Sequence, residues 1–412
     1  MITPKKYRLS NGVRVIIVKK NWKPLVTARI FVKAGSRHDN DSPGLAHLVE
    51  HLLFANSKSK RVPHLNDEMD RLGGRLDGET TKEYTAISMM VLKENFFLGL
   101  KLLADLLCNP QFTLDTIEDE KKIIVEEIVN SYSKSKILWD VFSQTLWKES
   151  PLRHPIMGSV NSVRSITYKD VWKFYNRYYA GKNTVVVIIG DFSYDFLENM
   201  MGKIFSSLNK NPPQIEEQST SHVFNDQKNV HLKKRSLQTH LIVGYPGAGI
   251  NSPDINGLKL LNKILGNGTG SRLYKRLRND LHLVYSIASV VAIYEDTGYF
   301  AIWSNFNNEK YELIIEKISR EFDRVKNERI SDETLIQAKI RYRRDFLINF
   351  ETDYSLAGFL GTSELLSGTI ETIDDIFDDI ESINNDALLN LSNKYFTNSH
   401  RFVVTIGRDP ID

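Results

Sequence analysis

The chain carries one succession of elements twice, and this limits its possible folds more than any other feature. Thr27 opens an apolar run, ARIFVKAGS, followed by Ser42-Pro43 and a helical pattern; Thr239 opens HLIVGYPGAG, followed by Ser252-Pro253 and a second helical pattern. A strand-like run closes each stretch, VVVIIG at Gly190 and FVVTIG at Gly407. The copies stand 212 residues apart at their first strands and 217 at their last. That agreement predicts two related units of one α+β design. A length of 412 residues with 41% hydrophobic content can supply both cores. Between Asn209 and Gln227, Pro212, Pro213 and an excess of Gln, Ser, Thr and Asn mark a linker. The expected domains are 1–208 and 229–412, joined by 209–228.

In the first copy, Val13–Val18 and Val26–Val32 read as strands around a polar turn. Asn66–Leu72 reads as a helix ending at Gly73-Gly74, and Arg75–Leu92 alternates like a strand. Helical patterns follow from Asn95 to Cys108, Leu114 to Ser131, Ile137 to Trp147 and Tyr168 to Tyr178.

The helix opening at Ser42-Pro43 carries the chemistry. A hydroxyl can cap the free amides, and proline sits where no donor is needed. Leu45, Leu48, Val49, Leu52 and Leu53 form its apolar face, while His47, Glu50 and His51 fall on the remaining stripe. Two imidazoles four residues apart lie one turn apart and can aim at one point. H-x-x-E-H is the inverted zincin pattern: two histidine ligands and a carboxylate placed to work on a metal-bound water. The second copy is an internal control. Aligning Gly44 with Gly257 sets Leu260, Lys263 and Ile264 opposite His47, Glu50 and His51, so the helix recurs without the ligands.

A hydrolytic zinc site needs three protein ligands and an open position. The remaining histidines stand singly. On the helix Leu114–Ser131, however, Ile117, Glu120, Ile124 and Glu127 share one stripe. Carboxylates on an inward stripe need partners, and a metal is one. Glu126 falls on the polar side with Asp119 and Lys122, which leaves Glu127 as the third ligand. Glu120, two turns earlier, suits the orienting of a histidine or the tuning of the water.

Composition excludes several alternatives. With 54 basic and 51 acidic residues and no concentrated basic patch, nucleic acid is not expected as a partner. A single cysteine, Cys108, precludes an internal disulfide and a multi-cysteine zinc site. No signal-peptide core or membrane-spanning stretch is visible, so a cytoplasmic protein without membrane partners is expected. GNGTG at Gly266–Gly270 lacks the Gly-Lys-Ser/Thr of a phosphate loop and reads as a helix end.

HLVEH, Glu127 standing 76 residues beyond His51, and the surrounding EDEKKIIVEEI resemble the pitrilysin, insulysin and mitochondrial-processing-peptidase family of zinc proteases. RHPIMGSVNSVRSITYKDVWKFYNRYYAGKNTVVVIIGD is similar to the family's end of the first domain. The resemblance runs over nearly the whole chain. It implies two related α/β domains, each a mixed, mostly antiparallel sheet packed on helices, together forming half of a closed chamber. Glu120 then matches an additional carboxylate of the family. SRLYKRLRNDLHLVYSIAS resembles the segment that carries an arginine and a tyrosine, here Arg278 and Tyr285. In the family these contact substrate near the scissile carbonyl, where a cation and a phenol can stabilise developing charge. LGGRLDGETTKEYTA resembles the edge strand that pairs with substrate, which would involve Asp77, Gly78, Glu79, Thr80 and Tyr84. Asp77-Gly78 replaces the usual asparagine–alanine pair; aspartate accepts but cannot donate a hydrogen bond, which points to altered docking and a preference for basic residues.

These readings predict a zinc endopeptidase with one Zn2+ per chain, acting on short or unfolded peptides. A half-chamber protomer is expected to pair. A homodimer, with Arg278 and Tyr285 supplied by the partner, is the first expectation. A heterodimer with a sister subunit that trims one precursor, or a non-catalytic structural subunit, are the alternatives.

Overall fold

Val185–Ile189 is an unbroken β-branched run, and such a strand needs apolar cover on both faces. The computed structural model, which describes residues 4–55, 64–131, 133–208, 224–226 and 228–408, shows how it is covered. Almost all of the 209–228 linker lies outside the described residues.

The first sheet holds β1 (Lys5–Arg8), β2 (Arg14–Lys19), β3 (Leu25–Val32), β4 (Arg75–Thr80), β5 (Thr85–Leu92) and β6 (Thr184–Gly190). Their order is β1-β2-β6-β3-β5-β4, with only β2 and β6 parallel. Buried β6 turns Val186 and Ile188 to one core, which also contains Leu48, Val49 and Leu52 of helix α1 (Leu45–Ala55). Ile117 and Ile124 of helix α2 (Leu114–Asn130) join that core. Val185, Val187 and Ile189 face a second core with Leu356, Ala357 and Leu360.

The second sheet holds β7 (Asn229–Lys233), β8 (Gln238–Gly247), β9 (Val284–Ile293), β10 (Gly298–Asn307) and β11 (Phe402–Gly407), ordered β7-β11-β8-β10-β9. Again one pair is parallel, β7 with β11. Taken in chain order, β7 to β11 repeat the placement and direction of β2 to β6. The first sheet adds only β1.

Two features differ from the sequence expectations. The compact units are not contiguous domains meeting at 209–228. Unit 1 comprises 1–131, 154–219 and 349–370; unit 2 comprises 132–153, 220–348 and 371–412. Each sheet's second face is covered by a helix from the other half of the sequence. Helix α3 (Lys134–Leu146) sets Leu138, Phe142 and Leu146 against Phe402, Val404 and Ile406 of β11. Helix α4 (Asp353–Thr362) covers the first sheet. Glycines permit the close approach: a β-carbon at Gly361 would collide with the Phe31 ring, and one at Gly244 with the Phe142 ring. Salt bridges from Lys6 and Arg14 to Glu364, and from Lys20 and Lys23 to Asp353, tie the 353–364 segment down.

The second difference is that Arg75–Leu92 is a hairpin, β4 and β5. Thr81 turns the chain, its hydroxyl accepting from the Glu83 and Tyr84 amides. Among the described residues β4 pairs only with β5, which leaves its outer edge without a strand partner there. Among the described residues no helix is long and apolar enough to cross a membrane.

Candidate metal centre

Helix α1 is held from its N-terminus. The Asp39 carboxylate accepts from the Gly44 amide at 2.7 Å and the Ala46 amide at 2.8 Å. A carboxylate at that end also complements the helix dipole. Asp39 thus takes the capping role that the sequence reading gave to Ser42. Gly44 has φ +98°, and a β-carbon there would stand 2.7 Å from the Met157 carbonyl oxygen, so glycine is required. Ser162 donates to the Pro43 carbonyl at 2.7 Å, fixing the loop before the helix. With Leu48, Val49, Leu52 and Leu53 buried, His47 and His51 emerge one turn apart, their ring centroids 4.6 Å from each other.

Helix α2 starts at a Thr113 cap and is anchored by Ile117, Ile124 and Ile128, which turn Glu120 and Glu127 toward α1. His51 Nδ1 lies 3.1 Å from Glu120 Oε2 and its Nε2 lies 3.6 Å from Glu127 Oε2. With the proton on Nδ1 directed at Glu120, the ring presents Nε2 to the space shared with Glu127 and His47. One ligand atom from each of His47, His51 and Glu127 lies within 4.8 Å of the others. Tetrahedral zinc with bonds of about 2.0–2.1 Å needs donors roughly 3.3 Å apart, so small side-chain rotations accommodate the ion.

The charges also fit a cation. Burial would lower the His51 pKa, but the Glu120 hydrogen bond and the charges of Glu127 and Glu50 outweigh it and raise the value. A divalent ion would satisfy the same field of carboxylates. Glu50 is buried beside the ligands, and its Oε2 accepts from the Thr80 hydroxyl at 2.6 Å. Its Oε1 occupies space that a β-carbon at Gly78 would fill. Burial, with the Glu127 and Asp77 charges, raises the Glu50 pKa against the opposing effects of the Thr80 bond and His51.

The expected substrate strand divides between two faces. Gly78 and Thr80 meet Glu50. Asp77 and Glu79 turn the other way: the Tyr354 hydroxyl lies 3.5 Å from Asp77, and Arg29 pairs with Glu79 at 2.9 Å. Tyr84 ends the turn, edge-on to Phe31, with burial pushing its phenol up to about 12. Asp77, Gly78, Glu79 and Tyr84 line one cleft, while the Thr80 hydroxyl turns to Glu50. In unit 2, Arg278 lies in the helical turn Tyr274–Asp280 and donates to the Val284 carbonyl at 3.1 Å. Tyr285 follows on β9, exposed. Asp39, Arg29 and Tyr354 escaped the sequence reading; an aspartate shortly before Ser-Pro was the available sign of the first, and no local signal marks the other two.

Comparison with known proteins places this geometry. Residues 14–160, which include His47, Glu50, His51 and Glu127, match the model described as insulinase, peptidase family M16. Residues 165–342 match the model described as the M16 inactive domain, which takes in most of the unit without the ligands. An uncharacterized zinc protease of Rickettsia felis is 28% identical, covering 95% of this chain and 94% of that protein. YmxG, an uncharacterized zinc protease of Bacillus subtilis, is 26% identical, covering 96% of each. Among solved structures, an M16 inactive-domain protein from Pseudomonas fluorescens has TM-score 0.91 at 22% identity, covering 99% of this chain and 98% of that one. A protease from Helicobacter pylori has TM-score 0.89 at 23% identity, covering 99% and 100%. With both family models matched in order and relatives along nearly its full length, the chain belongs to the M16 peptidase family.

Proposed function

We propose that the chain is a zinc-dependent endopeptidase acting on short or unfolded peptides. The convergence of His47, His51 and Glu127 beside buried Glu50, next to an open sheet edge, is the observation that carries this reading. Zinc bound to those three side chains would acidify a water and polarise the substrate carbonyl. The chain's own groups supply the rest. Glu50, with its raised proton affinity, takes a proton from the water and later delivers one to the leaving amine. Thr80 holds one Glu50 oxygen, leaving the other available beside Gly78. Glu120 holds the His51 ring in orientation.

The free edge of β4 can accept a peptide as an added strand, which selects for unfolded segments. Arg278 and Tyr285 would stabilise charge on the carbonyl oxygen from a partner copy in a homodimer. Sedimentation separates this from pairing with a sister subunit, in which case the pure chain would be an inactive monomer that gains activity with a second protein. The peptidase test compares zinc-loaded and chelator-treated protein on one peptide, presented free and within a folded domain. Cleavage of the free peptide alone, and only with zinc, is expected. No cleavage by the zinc-loaded dimer would instead identify a non-catalytic subunit.

A further inference from the structure

We propose that the cleft behind edge strand β4 receives a lysine or arginine side chain of the bound peptide, from a residue adjoining the scissile bond. This rests on the reading that a peptide adds to β4. Side chains alternate between the faces of a strand, so the two residues flanking the cleaved bond point in opposite directions. One turns toward Gly78, Thr80 and Glu50. The other turns toward the face of Asp77 and Glu79.

On that face, within unit 1, lies an open cleft of about 600 Å³ lined by Arg29, Asp77, Glu79, Tyr84, Tyr354 and Phe359, among others. Its charges are unequal. Arg29 pairs with Glu79 at 2.9 Å, donates to Ser88 at 2.9 Å and lies 4.1 Å from the Tyr354 ring centroid. That cation is already engaged. Among the described residues Asp77 makes no ion pair, its hydrogen-bond partner being the Tyr354 hydroxyl at 3.5 Å. The cleft therefore presents one uncompensated carboxylate among aromatic walls. Such a setting suits a long side chain with an apolar stem and a positive end: rings for the methylenes, Asp77 for the charge. A glutamate would meet two carboxylates, and a neutral side chain would leave Asp77 unanswered.

The test uses zinc-loaded protein and peptides identical except at the residues flanking the cleaved bond, which carry Arg, Lys, norleucine or Glu. The readout is the ratio of kcat/KM for Arg over norleucine within each enzyme, which cancels differences in zinc loading or folded fraction. A preference of about tenfold at one flanking position is expected for an exposed ion pair backed by aromatic contact. It should fall to near unity in Asp77→Asn and turn toward Glu in Asp77→Lys. A preference unchanged in Asp77→Asn overturns the assignment. Cleavage by the wild type with no basic preference also overturns it, while leaving the peptidase reading intact. Absence of all cleavage by the zinc-loaded protein removes that reading and this site together.

Discussion

The two units share a frame and differ at one helix. In both, five strands stand in the same order and directions, with a helix following the second strand. In the first unit that helix presents His47 and His51. In the second, Ile255–Leu265, the aligned Leu260 and Ile264 are buried core residues. The frame therefore does not require imidazoles, and the polar stripe of α1 is an added feature that the first unit supports at a cost in apolar burial. The edge strands diverge as well. β4 carries Gly78 against Glu50, whereas the corresponding β9 carries exposed Tyr285. One design presents a cluster of candidate metal ligands in the first unit and, among the described residues, none in the second.

The sharpest break in this comparison is to make the first unit resemble the second. His47→Leu with His51→Ile should abolish zinc binding and peptide cleavage, measured by elemental analysis and turnover. The metal-free double variant should unfold cooperatively at a Tm no lower than that of the metal-free wild type. A collapse of the fold would show that the histidines are structural.

Glu120→Gln tests a smaller asymmetry, the carboxylate that orients His51. It should weaken zinc affinity about 10- to 100-fold with the fold unchanged, measured by competition with a chelator. An unaltered affinity would mean that the 3.1 Å contact does nothing for the metal.

The loop before α1 offers a test that involves no metal. Burial pushes the His38 pKa down to about 4, aided by Arg37, Lys33 and Arg177, and its ring nitrogen accepts from the Gly35 amide. A depressed histidine contributes stability that is complete above its unfolded value of 6.5 and is lost as pH falls through about 4. Adjacent Asp39, pushed up to about 7 by burial, acts with the opposite sign: its contribution is full below 3.8 and is lost as pH rises through 7. The wild-type profile mixes both, so the difference from His38→Gln is the informative quantity. Between pH 6.5 and 4 the wild type should lose up to about 3 kcal/mol relative to the variant, read from denaturant midpoints. Parallel profiles would contradict the shift.

Much of the site was legible because it is periodic. Residues four apart on α1 and a stripe of Ile and Glu on α2 require only helical geometry. The unit boundaries were not legible in the same way. The non-alternating runs of β6 and β11 announce that both faces must be covered, but not that α4 and α3 cross between the halves of the sequence to do it. Asp39 caps α1 from outside its first turn, beyond a local capping pattern. Alternation also separates Asp77 and Glu79 from Gly78 and Thr80, but the sequence does not say which set meets Glu50.

Glu50→Gln is the most direct test of the central claim, because it keeps the side-chain size and an acceptor for Thr80 while removing the base. Zinc content and turnover of an unfolded peptide should be measured on the same preparation. Zinc retained at one per chain with turnover reduced about 10³-fold is the predicted result. A zinc-loaded variant that cleaves at the wild-type rate would contradict the account.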